Sequence, residues 1–107
     1  MVSIDLNERA ALITGSGRGI GRAIAIRLAQ AGAAVFVTDL DASAVADTVQ
    51  ALRSAGARAE GLEGDLTSPG FPEHLVANVL QRFGSVDIVV NNAGYTWDNV
   101  IQKTTDE

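Results

Sequence analysis

Apolar positions along this chain alternate between short unbroken runs and longer periodic stretches. Residues 10–14, Ala-Ala-Leu-Ile-Thr, form an apolar run. That is the composition of a strand covered on both faces. Glycines interrupt it at Gly15, Gly17, Gly19 and Gly21, and a helical spacing follows at once through Ile20, Ala23, Ile24, Leu28 and Ala31. The spacing predicts a helix over 19–31, with Gly32 at its left-handed C-terminal position. The beat then repeats. Residues 33–38 read as a second buried strand. Asp41 can cap a helix over 42–55 that carries Val45, Val49 and Leu52 on one face, and Gly56 stops it. Residues 57–64 form a weaker strand. Two prolines offer competing starts for the next helix, and a start near Pro72 is preferred because proline further inside would remove a hydrogen bond. Its apolar face is Leu75, Val76, Val79, Leu80 and Phe83, ended by Gly84. Residues 86–90 are a fourth strand that runs into Asn91-Asn92-Ala93-Gly94.

The order is therefore βαβαβαβ. Strands alternating with helices predict an α/β fold, a doubly wound parallel sheet with helices on both faces. Crossovers are expected to be right-handed, and the expected strand order is 3-2-1-4, with a ligand crevice at the switch point between strands 1 and 4.

Composition narrows the class of partner. The 107 residues suffice for one domain with a modest core. The net charge is −5, and the seven arginines are scattered, which argues against nucleic acid or an anionic membrane surface as the main partner. There is no cysteine, so neither a disulfide framework nor a thiolate metal site is available. No apolar run approaches the ~20 residues needed to span a bilayer. The N-terminus carries early acids and no long apolar stretch, unlike a signal peptide, and the expected location is cytoplasmic.

Candidate chemistry gathers at the carboxyl ends of the strands. Strand 1 ends in Thr14-Gly15-x-x-x-Gly19-Ile20-Gly21, at the start of a helix. There the free backbone N–H groups and the helix dipole favour a phosphate, and glycine lets it approach closely. A glycine run alone also serves tight turns; the helix that follows immediately favours the phosphate reading. A P-loop is excluded because no Gly-Lys-Ser/Thr follows. Asp39 stands at the end of strand 2, 18 residues beyond Gly21. A carboxylate there can accept from both hydroxyls of an adenosine ribose, and it repels a 2′-phosphate, so NAD is preferred and NADP not excluded. Arg18 pulls mildly the other way. Alone, Asp39 is equally a loop residue or a cap shared with Asp41; behind the glycine loop the ligand reading gains. Asp65 could accept from an adenine amino group while Leu66 packs on the ring, or Asp65 is a turn residue before Pro69. Asn91 to Gly94 offer two amides and two small residues near a ligand, or an asparagine-glycine turn.

Taken together, Thr14 to Gly21, Asp39, Asp65-Leu66-Thr67 and Asn91-Asn92-Ala93-Gly94 resemble the short-chain dehydrogenase/reductase family over essentially the whole chain. Val86-Asp87-Ile88-Val89-Val90 and Trp97-Asp98-Asn99-Val100-Ile101 look most like its 3-oxoacyl-carrier-protein-reductase-like branch. The resemblance implies a Rossmann fold and hydride transfer between a nicotinamide dinucleotide and a carbonyl or alcohol carbon. Carried over residue by residue, it places Gly15, Ser16, Arg18, Gly19, Ile20 and Gly21 on the pyrophosphate side and Asp39 on the ribose. Asp65 and Leu66 fall at the adenine end, and Asn92, Ala93 and Gly94 near the nicotinamide ribose. Asn91 ties the central strands together. Full-length relatives are expected to be homo-oligomeric.

Catalysis in that family needs a serine, a Tyr-x-x-x-Lys pair and a further asparagine beyond the Asn-Asn-Ala-Gly segment. Here Tyr95 is followed four residues later by Asn99, and Lys103 is preceded four residues earlier by the same Asn99. No pair can be built, so no catalytic residue is assigned. Ser85 is expected at the amino end of strand 4, away from the crevice. His74, the only histidine, reads as a surface residue. Thr104-Thr105-Asp106-Glu107 resembles the start of another helix. The expectation is an N-terminal part, residues 1–107, of a dinucleotide-binding domain, cut before the catalytic half. The alternatives are a non-catalytic dinucleotide-binding module and a self-associating fragment that pairs through the edge of strand 4. A methyltransferase-like or flavodoxin-like domain is disfavoured by the glycine spacing together with Asn91 to Gly94.

Overall fold

A computed structural model describes residues 5–17 and 19–92. The elements are β1 (Ala10–Thr14), α1 (Gly19–Gln30), β2 (Ala34–Asp39), α2 (Ala42–Ser54), β3 (Ala59–Glu63), α3 (Phe71–Phe83) and β4 (Ile88–Asn91). They build one parallel sheet, as the alternation requires, in the expected order β3-β2-β1-β4. The register is level at one end. Thr14 lies beside Thr38 and Asn91, and Thr38 lies beside Leu62, so the carboxyl ends of all four strands open on the same rim.

The unbroken apolar runs of β1 and β2 feed two cores. Ala11, Ile13, Val35 and Val37 pack with Ala25 of α1 and with Val45, Val49 and Leu52 of α2. Leu12 and Phe36, pointing the opposite way along the pleat, pack with Leu66 and with Leu75 and Val79 of α3. Phe83 meets Phe36 edge-on, with ring centroids 6.1 Å apart, and the Arg58 guanidinium lies 4.9 Å from the Phe83 centroid.

Two apolar faces differ from the spacing-based expectation. α1 buries Gly21 and Ala25 and packs Ile24 and Leu28 partly buried on the core, whereas Ile20 is 72% exposed and Ala23 is exposed. This helix is apolar around most of its circumference, so periodicity alone does not choose the face. Close approach to the sheet chooses the smallest residues. In α3, Leu75 and Val79 are inside, but Val76 and Leu80 are 41% and 47% exposed. The stripe is wider than the surface that the described residues offer it.

The helix ends follow local chemistry. Asp41 caps α2, its Oδ1 accepting from the N–H groups of Ser43 at 2.9 Å and Ala44 at 3.3 Å. α3 begins at Phe71, one residue before the expected proline, with Pro72 still in the first turn and Gly70 before it at φ 82°. Gly84 closes α3 at φ 82°, its N–H donating to the Leu80 carbonyl at 2.8 Å. A Cβ there would meet nothing within 4 Å. Gly84→Ala therefore isolates backbone strain from packing, and it is expected to cost about 1 kcal/mol once the lower entropy of the unfolded alanine chain is counted. Denaturant unfolding checks this; an unchanged midpoint would show that alanine tolerates the left-handed cap.

β4 starts at Ile88, later than residue 86, because Asp87 is used as a clasp. Its backbone N–H donates to the Ala10 carbonyl at 2.9 Å, and its carboxylate accepts from the Ala10 N–H at 2.8 Å and from the Ser85 hydroxyl at 3.0 Å. The Ala10 N–H foremost, then the Ser85 hydroxyl and the Arg9 charge, hold the Asp87 carboxyl below its ordinary range. Ser85 thus sits at the amino end of the sheet, opposite the rim, as expected. Among the described residues β4 pairs with β1 alone, and Val89 is 57% exposed.

Candidate functional site

The rim is built first by the glycine turn. β1 ends at Thr14, and the chain must leave the sheet, reverse and enter α1 within five residues. Gly15 and Gly19 do this at φ 62° and 60°, in the left-handed region. Gly21 serves contact instead. A Cβ on it would fall on the Gly15 carbonyl oxygen and reach 2.5 Å from Asn92 Nδ2. The first turn of α1 contains no acidic side chain, so its unpaired N–H groups present uncompensated positive potential at the rim. Ile20, largely exposed, stands beside them.

Ser16 has a different place from the other loop residues. It is fully buried. Its hydroxyl donates to the Ile13 carbonyl at 2.6 Å and accepts from the Thr38 N–H at 3.2 Å, while its own N–H donates to the Thr38 carbonyl at 3.1 Å. Its hydroxyl and its N–H are both spent inside the fold. Ser16 is a brace that sews the glycine turn to β2.

Asp39 ends β2 half-buried beside this turn. Its Oδ2 accepts from the Gly17 N–H at 3.0 Å and its Oδ1 from the Asp41 N–H at 3.3 Å. Each carboxylate oxygen has further acceptor capacity, so the group is held in place and still able to accept two more hydrogen bonds. Gly17 makes this possible, because a Cβ there would come within 2.9 Å of Asp39 Oδ2 and 2.7 Å of the Ala44 Cβ.

A groove of about 60 Å³ joins these features. Gly15, Asp39, Leu40, Gly64, Asp65 and Leu66 line it. Leu66 is buried against the α3 core, while Leu40 is 65% exposed. Asp65 Oδ1 accepts from the Thr67 hydroxyl at 2.6 Å and the Thr67 N–H at 2.8 Å, and those two bonds, in that order, hold its carboxyl below the ordinary range. The turn reading of Asp65 is therefore met, and the same residue faces the groove. Thr38 lines the wall too, and its hydroxyl is buried without a hydrogen-bond partner. Such a loose end fits a polar group bound beside it. A larger cavity, about 780 Å³, lies between α2 and β3 and contains none of the residues that the sequence singles out.

On the other side of the glycine turn, Asn92 closes the crevice between β1 and β4. Its backbone N–H donates to Thr14 Oγ1 at 3.0 Å and its side-chain amide to the Gly15 carbonyl at 3.1 Å. Thr14 Oγ1 also lies 3.4 Å from Asn91 Oδ1, so both asparagines tie the central strands. Arg18, Ala93 and Gly94 lie outside the described residues, as do Tyr95, Trp97, Lys103 and the helix start expected at Thr104. His74 is exposed, and among the described residues no cluster of three potential metal ligands occurs and no helix is long and apolar enough to cross a membrane.

Gly15, Asp39, Asp65 and Leu66 line one groove, Gly19, Ile20 and Gly21 open α1 beside it, and Asn92 is bonded to Gly15 on the other side of the turn. Periodicity and motif spacing assign no role to Gly17, which bonds Asp39, or to Leu40, which lines the groove. Gly17 was visible as an extra glycine inside the turn; its service to Asp39 needed the fold.

Known proteins share this arrangement. The short chain dehydrogenase family model matches residues 9–107. The chain is 42% identical over 107 aligned residues to the 3-oxoacyl-acyl-carrier-protein reductase FabG of Escherichia coli, covering 97% of this chain and 41% of that protein. An uncharacterized oxidoreductase of Mycobacterium tuberculosis is 40% identical, over 94% of this chain and 38% of its own. A 7 alpha-hydroxysteroid dehydrogenase solved with NADH and 7-oxo glycochenodeoxycholic acid superposes with a TM-score of 0.80 at 38% identity, over 83% of this chain and 35% of its own. The chain thus spans about two fifths of the length of the relatives it matches, and it is their N-terminal portion that it resembles, the reductase FabG among them. With a matching family model over most of its length and the family's strand order, glycine turn and Asn-Asn segment in place, the chain belongs to the short-chain dehydrogenase family.

Proposed function

We propose that these residues are the dinucleotide-binding portion of an NAD(P)-dependent oxidoreductase, with NAD favoured over NADP. The observation that carries this is Asp39, clamped by the Gly17 and Asp41 N–H groups in the same groove as Asp65 and Leu66. In this reading Asp39 accepts from the adenosine ribose hydroxyls and excludes a 2′-phosphate by like charge. The α1 N-terminus and glycine turn face the pyrophosphate. Leu66 and Leu40 flank the adenine, with Asp65 at its polar edge. Asn92 serves the nicotinamide side of the turn; Ala93 and Gly94 are assigned to the nicotinamide ribose and Arg18 to the phosphates by the family motif alone. The dinucleotide supplies hydride transfer to or from a carbonyl or alcohol carbon. The Tyr-x-x-x-Lys pair for that chemistry is not among these 107 residues. Turnover of a small carbonyl or alcohol substrate, homo-oligomeric assembly and a cytoplasmic location belong to the proposal for the whole protein.

The same missing pair favours a second reading, in which the 107 residues bind the dinucleotide and catalyse nothing. Calorimetric titration with NADH and NADPH tests the common core of both. Saturable NADH binding, tighter than NADPH, is expected. A folded chain that binds neither would overturn the site as described.

A further inference from the structure

We infer that Thr48 is a positioning residue for dinucleotide selection, holding Gly17 so that its N–H stays on Asp39. This rests on the ribose role proposed for Asp39. Thr48 lies in the middle of α2, fully buried on a face otherwise made of Val45, Val49 and Leu52. A hydroxyl on such a face costs stability unless it is paired. Threonine in a helix commonly pairs with the carbonyl one turn back. Here the hydroxyl reaches out of the helix and donates to the Gly17 carbonyl at 3.1 Å.

Gly17 is thereby held from both ends. Its carbonyl is fixed to α2 through Thr48, and its N–H is fixed to β2 through Asp39 Oδ2 at 3.0 Å. Ala44, one turn before Thr48, presses on the Cα of Gly17 closely enough that no side chain fits between them. α2 thus forms a seat for one bare glycine, and the aim of the Gly17 N–H depends on that seat. Without the Thr48 hydroxyl, the Gly17 carbonyl loses its buried donor and turns toward other partners. The Gly17 N–H then leaves Asp39, and the carboxylate is free to rotate away from the ribose position. Recognition of an unphosphorylated ribose diol, as against a 2′-phosphate, is the property that suffers.

The test compares the 107-residue chain with Thr48→Val, which removes the hydroxyl at nearly constant shape, and Thr48→Ser, which keeps it. Calorimetry with NADH and NADPH is paired with the Gly17 amide resonance in a ligand-free nitrogen–proton spectrum. Thr48→Val is expected to weaken NADH about fivefold, the worth of one neutral hydrogen bond, and NADPH by less than about twofold, so the preference narrows. The Gly17 amide proton moves upfield and exchanges faster with solvent. Thr48→Ser stays near the parent in both readouts. Thr48→Ala supplies the same comparison if valine is not accommodated. A general loss of structure would weaken both dinucleotides alike, and that result overturns the positioning role. So does a hydroxyl-free variant with the parent's preference and Gly17 resonance. Absence of NADH binding to the parent chain overturns the cofactor reading itself, whereas parent binding with an unaltered Thr48→Val variant overturns the role of Thr48 alone.

Discussion

Gly21→Ala is expected to destabilise the chain by roughly 3 kcal/mol, the upper end of what overpacking costs, and to lower its melting temperature by more than about 10 °C. The added methyl has nowhere to go. It would land on the Gly15 carbonyl oxygen and on the Asn92 amide, two groups that are hydrogen-bonded to each other at 3.1 Å. One obstacle is backbone, fixed by the left-handed turn at Gly15, so it cannot swing aside as the tip of a long side chain would. α1 must lift from β1 and β2, opening the contact that Ala25 makes in the first core. Gly56, where a Cβ would meet nothing, is the control: Gly56→Ala changes only backbone strain at φ 90° and costs about 1 kcal/mol. Thermal melts of the two variants, followed by circular dichroism, decide the point. Equal melting temperatures would show that α1 and the glycine turn are not in the close contact described.

That contact also explains how much of the fold the chain discloses in advance. The residues that set element identity are local and were legible. β1 coincides with its apolar run, and Asp41 caps α2 as a side-chain oxygen two and three residues before free N–H groups should. Alternation and crossover handedness call for a parallel sheet, and the expected Rossmann-type order 3-2-1-4 is the one found. The parts that were not legible depend on what lies opposite. Of the expected α1 stripe, Ile24 and Leu28 pack partly buried on the core while Ile20 and Ala23 face out, and the fully buried positions are Gly21 and Ala25, because closeness to the sheet selects the smallest residues.

The site divides the same way. Asp39, Asp65 and Leu66 were placed by their position after a strand, and they do line one groove. Position in the turn puts Ser16 among the pyrophosphate-side residues, yet its hydroxyl and N–H are spent on Ile13 and Thr38. Nothing in the order of residues distinguishes a loop serine that faces a ligand from one that faces the sheet. Thr48 lies 31 residues from Gly17, in a helix whose pattern calls simply for an apolar residue there. A pairing of that separation is visible only after the sheet has brought α2 over the turn.

Asp39→Ala is expected to reverse or erase the preference between the two dinucleotides. Two effects act in opposite directions on the two ligands. For NADH, the substitution removes a charged acceptor from the ribose diol. Hydrogen bonds to charged groups are worth about 1.5–3 kcal/mol each, so losing even one weakens NADH by roughly tenfold or more. For NADPH, it removes a negative charge from beside the 2′-phosphate. At about 4 Å and an effective dielectric near 20 that repulsion is of order 4 kcal/mol per pair of charges, and the half-exposed setting of Asp39 screens much of it. About tenfold tighter NADPH binding is therefore a reasonable expectation. Asp39→Asn separates the causes, since its one amide oxygen keeps an acceptor for the Gly17 N–H while the charge, and with it the weaker 3.3 Å acceptor for the Asp41 N–H, is lost. If like-charge exclusion sets the preference, NADPH gains in both variants, while NADH suffers more in alanine than in asparagine. Should NADPH bind the alanine variant no better than the parent, exclusion is not what Asp39 does. Its clasp on Gly17 would then be its whole contribution to the rim.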